Sequence, residues 1–297
     1  MGIAHRMRLL KWFELDRAII FVLLARSWQL LAGPISILLI VNYLTPYAQG
    51  FYYTFGSLLA LQFFVELGFS QVIINVASHE WAHLNLNHVG VIVGEPDAIS
   101  RLISLGRLIF RWYAIAGMVF VLCVSIGGYL FFSQTPEPGI NWQTPWFLLV
   151  ILTGFLLWLL PLNVLLEGCN QVAAVNQFRL RQAILNNLAL WIMIALGGQL
   201  WSLVVAAGVR VVINLYFLLV QYRNFFRPFF TPPVGSKMIW RTEIWPMQWR
   251  LALSGFTIYF AFALYNIVMF QYHGAIVAGQ MGTTRQMVLT VETMALA

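Results

Sequence analysis

Charged residues are scarce in this chain. Asp, Glu, Lys and Arg together make up 9% of its 297 residues, against about 25% in an ordinary soluble domain. So little charge cannot coat a water-facing surface, which excludes a soluble globular protein. Cysteine is scarcer still: Cys123 and Cys169 sit in or beside apolar segments, lack metal-like spacing, and read as inert buried thiols. Several catalytic signatures are missing too. There is no Gly-rich loop to cradle phosphate, no G-x-S-x-G elbow, and Glu137 is the lone acid on the outer face of the topology derived below. The net charge of +7 does not point to nucleic acid, because no basic run is interleaved with aromatic stacking residues. A cleavable leader is excluded as well. The first apolar segment, 18–44, is about 27 residues long, whereas a signal core has about 7–15, and no small-x-small cleavage site interrupts it.

What the chain has in abundance is apolar residues, 61% of the total. A bilayer core takes about 20 such residues in helical conformation. On that ruler the sequence predicts an all-α, polytopic transmembrane helix bundle of about eight spans: 18–44, 51–77, 108–132, 145–167, 183–199, 200–222, 250–272 and 274–295. Spans five and six are separated only by Gly197, Gly198 and Gln199, and spans seven and eight turn at His273-Gly274. Of the 17 basic residues, fourteen fall in alternate connections or in the first turn of the span that follows: before span one, and between spans two and three, four and five, and six and seven. The other connections have none. Basic residues collect on the cytoplasmic side, so the N-terminus is expected to be cytoplasmic. Gly94-Glu95-Pro96-Asp97 reads as a helix start, with Pro in the first turn and acids near the positive end. It predicts a surface helix feeding span three. Residues 223–249, with Pro228, Pro232, Pro233 and Pro246, read as a hinge or lobe boundary. The expected organisation is therefore a cytoplasmic N-terminus 1–17, a six-helix lobe 18–222, a cytoplasmic linker 223–249, and a hairpin 250–297 that begins a second lobe.

Five charges remain inside spans: Arg26, Glu66, Arg210, Arg285 and Glu292. A charge at the bilayer centre costs about 2.5–3.5 kcal/mol on insertion scales, so each is expected to face a partner or water. At a rise of about 1.5 Å per residue, Arg26, Glu66 and Arg210 lie roughly 13, 17 and 18 Å in from the cytoplasmic side. Polar residues follow each at helical spacing: Gln29, Gly33 and Ser36 with Arg26; Gln62 and Ser70 with Glu66; Asn214 and Gln221 with Arg210. These stripes predict a hydrated cavity of positive character that takes an anionic substrate, extended by Arg285 and Glu292. The plainer alternative is an ion pair between Arg26 and Glu66, which leaves Arg210 unexplained.

His79-Glu80-Trp81-Ala82-His83 matches H-E-x-x-H, in which two histidines one helical turn apart share zinc and the glutamate is the base. An intramembrane zinc protease also needs a third ligand, and Pro161 to Glu167-Gly168 echoes one with the wrong spacing. The segment reads better as a polar cap where span two leaves the membrane, and no metal or other cofactor is expected.

The segment from Leu44-Thr45-Pro46 through Gly50-Phe51-Tyr52-Tyr53-Thr54 to Phe64-Val65-Glu66-Leu67-Gly68 and Ala77-Ser78-His79-Glu80 resembles bacterial polysaccharide and oligosaccharide flippases of the Wzx type. These belong to the multidrug/oligosaccharidyl-lipid/polysaccharide exporter superfamily. Trp245-Pro246-Met247-Gln248-Trp249-Arg250 and Val277-Ala278-Gly279-Gln280-Met281-Gly282-Thr283 look like the same family. The resemblance implies two lobes of helices around a central cavity. It also implies movement of an undecaprenyl-pyrophosphate-linked oligosaccharide between leaflets of the bacterial inner membrane, with membrane lipid and a coupling ion as further partners and no nucleic acid. The substrate head is anionic, in keeping with Arg26 and Arg210 as phosphate ligands and Glu66 as counter-ion or coupling site. The chain stops at Ala297, so it reads as a first lobe and the start of a second. Its alternatives are a truncated, non-transporting remnant or a zinc metalloprotease using His79, Glu80 and His83.

Overall fold

The computed structural model describes residues 3–66, 68–134, 141–232, 235–236, 238–262 and 264–295. Glu137, Pro233 and Lys237, together with the side chains of Arg6, Arg8, Lys11 and Arg241, lie outside what is described.

The described chain is helical apart from one small hairpin. Helix α1 runs Ile3–Tyr43 and contains Pro34. Its last carbonyls need donors from outside the helix, and Gln49 Nε2 donates to Leu44 O at 3.0 Å and to Ile40 O at 3.4 Å. Thr45 then starts α2, Pro46–Leu59: its Oγ1 accepts from Ala48 N, and Pro46 occupies the first turn, where no amide is needed. The expected second span is not one rod. It is α2, a short α3 (Gln62–Glu66) and α4 (Phe69–Trp81), bent by about 40°. Gly68 makes the second break possible. Its φ of 70° is left-handed, and a Cβ there would lie 2.3 Å from Leu251 Cβ. The Val65 carbonyl released by the break accepts from Trp112 Nε1 at 3.2 Å.

Strands β1 (Leu84–Leu86) and β2 (Ile92–Gly94) pair antiparallel around a loop in which Asn87 Oδ1 accepts from the amides of Val89 and Val91. Helix α5 starts at Pro96, as its sequence signal predicts, and continues unbroken to Ser133, so the surface helix and the third span are one 38-residue rod. Helices α6 (Gln143–Gly168), α7 (Val172–Ala195) and α8 (Trp201–Tyr216, ending in a wide turn at Phe217–Gln221) follow. The turn between α7 and α8 falls at Gly197 and Gln199, both at positive φ. After the short α9 (Arg223–Phe226) the linker reaches α10 (Trp245–Phe262) and α11 (Leu264–Ala295), which is kinked at Gly274, φ 81°.

Helix α1 packs on α7 and α11, α2 on α11, α5 on α6, and α6 on α4 and α8. The α2–α11 contact is backbone-close: a Cβ on Gly50 would meet Ala275 O at 2.0 Å, and one on Gly282 would meet Tyr53 Cγ at 2.3 Å. At one end of the bundle Phe51, Phe55, Phe132, Trp146 and Phe270 form edge-on and tilted ring contacts with centroids 4.9–5.4 Å apart. Among the described residues four helical stretches are long and apolar enough to cross a membrane: Arg17–Tyr43, Pro96–Ser133, Gln143–Gly168 and Trp201–Gln221. The bent α2–α4 segment is a fifth if counted as one span. Helices α7, α10 and α11 fall short of that standard, α7 because asparagine, glutamine and arginine interrupt it.

The neighbouring glycines of α5 give a sharp test of this packing. A Cβ on Gly128 would sit 2.1 Å from the Trp146 ring, itself wedged against Phe55 and Phe132, whereas one on Gly127 meets nothing within 4 Å. Gly128→Ala should cost about 1–3 kcal/mol by overpacking, and Gly127→Ala should be neutral or stabilise by up to about 1 kcal/mol. Thermal unfolding of the two variants side by side checks this; equal stability would mean that α5 does not present Gly128 to Trp146.

Candidate functional site

Two polar cavities flank α7. The first, of about 260 Å³, lies between α1, α7 and α11 and is lined by Gln29, Ser36, Asn187, Gln286 and Thr290, with Ala32, Gly33 and Leu289. Gly33 opens it, since a Cβ there would stand 2.9 Å from Thr290 Oγ1. Ser36 ties its wall together: its hydroxyl donates to Ala32 O at 2.7 Å and accepts from Trp191 Nε1 at 2.9 Å. Trp191 in turn leans on Trp28, centroids 5.8 Å apart. The second cavity, of about 240 Å³, lies between α2, α6, α7 and α8. Its polar lining is Tyr52, Gln62, Thr153, Asn186 and Arg210 among leucines and alanines. Gln182, one turn before Asn186 on α7, donates to the carbonyl of Arg210 at 3.3 Å.

The sequence anticipates one chamber, and the structure distributes the expected residues otherwise. Gln62 and Arg210 meet in the second cavity, and Gln29 lines the first. Arg26 is exposed on α1, outside both linings. Glu66 sits at the end of α3, accepting from Ser70 Oγ at 3.3 Å; the ion pairs of the described residues do not join it to Arg26. Asn214 is buried and accepts from Asn163 Nδ2 at 3.0 Å, tying α8 to α6 instead of lining a cavity. The reason is physical: an amide held in apolar surroundings must find a partner, and Asn163 is the nearer one. On α11 the cavity face is rotated by one residue. Gln286, Leu289 and Thr290 line the first cavity, while Glu292 is exposed and Arg285 lies half-buried beside it.

Asn186 and Asn187 were not singled out from the sequence, yet they are central to this arrangement. Adjacent on one helix, each faces a different cavity, and Asn186 Nδ2 donates to Asn187 Oδ1 at 3.3 Å. Two consecutive amides inside an apolar segment, with Gln182 one turn earlier, are the signal that identifies them.

The H-E-x-x-H segment does not have the geometry of a zinc site. Helix α4 ends at Trp81, so His83 lies beyond it and does not share a helical face with His79. Glu80 is buried and accepts from Arg101 Nε at 2.8 Å, and His83 faces Glu95 at 3.6 Å. Among the described residues no group of three His, Cys, Asp or Glu stands close enough to hold a metal. Arg101 also reaches Glu243 at 2.7 Å, and its neighbours on α5 hold the linker. Ser100 Oγ accepts from Gly235 N and donates to Ser236 O, Ser104 Oγ accepts from Met238 N, and Arg107 donates to the carbonyls of Phe229 and Phe230. Pro228 and Pro232 thus belong to a segment docked along the first turns of α5.

Comparison of the chain with protein-family models, curated proteins and solved structures returns no match.

Removing Arg101 would leave the buried Glu80 carboxylate with only the exposed His79 imidazole, 3.9 Å away. Breaking such a pair from one side costs about 3–5 kcal/mol when it is fully buried, and partial exposure of Arg101 reduces this to about 2 kcal/mol. Arg101→Ala should therefore lower the unfolding temperature, and adding Glu80→Gln should restore most of the loss; additive damage would mean that the two residues are uncoupled. Zinc titration should show no stoichiometric binding that His79→Ala abolishes. Such binding would reinstate the protease reading.

Proposed function

We propose that the chain is a membrane-embedded transporter, or the first lobe of one, that carries an amphiphile with an anionic head across the bilayer. The carrying observation is that Arg210 lines a polar cavity among helices whose outward faces are apolar. Leu23, Leu31 and Leu38 of α1, Ile115 and Leu122 of α5, and Val212 and Leu219 around α8 are all more than half exposed. In water this much apolar area drives aggregation; in lipid it is solvated. An arginine at bilayer depth in turn needs water or an anion. The cavity offers room for one, and Gln62, Thr153 and Asn186 supply neutral hydrogen-bonding groups around it.

In this reading the eight spans are α1, the bent α2–α4 segment, α5, α6, α7, α8, α10 with the start of α11, and the remainder of α11 after Gly274. The basic connections place the N-terminus in the cytoplasm. The resemblance of the segment around 44–80 to Wzx-type flippases narrows the passenger to a lipid-linked oligosaccharide whose pyrophosphate meets Arg210, moved between leaflets of the bacterial inner membrane. Glu66, at the break in the second span, is suited to serve as counter-ion or as the site of a coupling ion.

Two measurements test this. In intact vesicles a water-soluble maleimide should label neither cysteine, because Cys123 faces acyl chains and Cys169 is buried. Burial also pushes the Cys169 thiol well above its usual pKa, leaving little thiolate to react. Denaturation in detergent should expose both, and labelling of Cys123 in intact vesicles would remove α5 from the lipid. In nanodiscs the protein should bind a polyprenyl pyrophosphate, and Arg210→Gln should weaken binding by about 10- to 100-fold, the worth of one charge-assisted hydrogen bond. Unchanged affinity would overturn the role of Arg210.

A further inference from the structure

Helix α5 carries an arginine on a face that is otherwise aliphatic. Arg111 is exposed, and Ile115, Val119, Leu122 and Ile126 follow it at spacings of four, eight, eleven and fifteen residues, each more than half exposed. That spacing keeps all five on one side of the helix. The docked linker brings a second arginine to the same edge. Arg107, one turn before Arg111, donates to Phe229 O at 3.1 Å and to Phe230 O at 3.0 Å, which pins the short 3-10 helix Arg227–Phe230 against α5. Residues three apart eclipse each other in such a helix, so Arg227 and Phe230 share a side. Both are exposed, Phe230 at 84%, and Phe110 beside Arg111 is half exposed. Neither Arg111 nor Arg227 joins an ion pair among the described residues, and Glu80 and Glu243, the acids bound to this part of α5, are held by Arg101.

Two guanidinium groups without an acid, set among exposed phenyl rings where an aliphatic face begins, need an occupant with two characters. A soluble anion satisfies the arginines and leaves the rings and the stripe in water. A phospholipid satisfies both, its acyl chains along the stripe and its phosphate on the guanidinium groups, whose planar forks match phosphate oxygens. Charge complementarity selects the head group, since a zwitterionic one brings its own cation to the arginines. Helix α10 repeats the pattern: Trp245, Trp249 and Leu253 are exposed and four apart, and the Arg250 guanidinium lies 5.7 Å from the Trp249 ring centre. Tryptophans of this kind collect at membrane interfaces.

We propose that Arg111 and Arg227, with Phe110 and Phe230, form a surface site for an anionic diacyl phospholipid of the cytoplasmic leaflet. It rests on the membrane-embedded part of the reading under Proposed function and not on carriage, because no residue of α5 lines either cavity. One arginine comes from α5 and the other from the linker, so the head group bridges the two and reinforces the grip of Arg107.

Native mass spectrometry of the purified full chain tests this, with dioleoylphosphatidylglycerol or dioleoylphosphatidylcholine titrated in detergent and the first bound lipid measured. Phosphatidylglycerol should bind about 10- to 30-fold tighter, from about fivefold for each arginine at an anionic surface. Arg111→Gln and Arg227→Gln should each cut that preference about fivefold, and Arg181→Gln, the same charge change in another connection, should leave it intact. The two site changes lie on different elements, so misfolding of one, seen as a shifted size-exclusion profile, leaves the other to decide. Equal affinity for the two lipids, a preference that survives both site changes, or an equal loss in Arg181→Gln overturns the site, the last by showing diffuse attraction only. Loss of the preference in Arg210→Gln overturns it too, by moving the lipid into the cavity. In each of these outcomes the membrane-embedded reading stands. Retention of neither lipid by the folded chain removes that reading and the site together.

Discussion

A polar group surrounded by hydrocarbon is stabilised by a partner inside the protein, and several distinctive contacts of this chain supply one, although the buried amides of Gln248 and Asn266 are left without. Unsatisfied amides and charges cost several kcal/mol in such surroundings. Asn163 therefore bonds Asn214 across α6 and α8, Gln49 bonds the carbonyls that α1 leaves open, and Trp112 takes the carbonyl that the break after Glu66 releases. In the proposed bilayer setting the apolar residues, by contrast, are under little constraint, because lipid would solvate them as well as they solvate each other. Specificity in the packing comes instead from close backbone approach at Gly50, Gly279 and Gly282 and from the ring cluster around Phe132.

The same demand explains how far the sequence could be read. Long apolar runs and helix-start chemistry depend on neighbours in sequence, so α1, α5, α6 and α8, the turn at Gly197–Gln199 and a backbone break at Gly274 were legible. The break at Ala60–Gly68 was not, because Gln62, Glu66 and Ser70 keep helical spacing across it and only Gly68, with its left-handed φ, marks the bend. The hairpin 84–94 escaped because strands of three residues carry too little alternation to register.

Site residues were legible by type and less so by direction. Helical spacing brings Gln62 and Arg210 into one lining, with the Arg210 side chain still exposed. Rotation about a helix axis is fixed by tertiary packing, though, and an offset of one residue turns a side chain by about 100°. That offset puts Gln286 in the lining in place of Arg285. It also explains why charges drew notice while Asn186 and Asn187 did not: a charge in an apolar run is conspicuous, whereas a neutral amide is not, although both must be accommodated.

The bonds between α5 and the segment 229–243 have a mechanical meaning. Ser100, Ser104, Arg101 and Arg107 grip that segment at four successive points along less than three turns of helix, and Arg101 adds α4 through Glu80. A segment held so often cannot swing freely. Displacement of α10 and α11 would be transmitted to α5 and α4 as to one stiff lever, and from α4 into the bend at Gly68, the place along the second span where the backbone has given up its regular bonds and can yield.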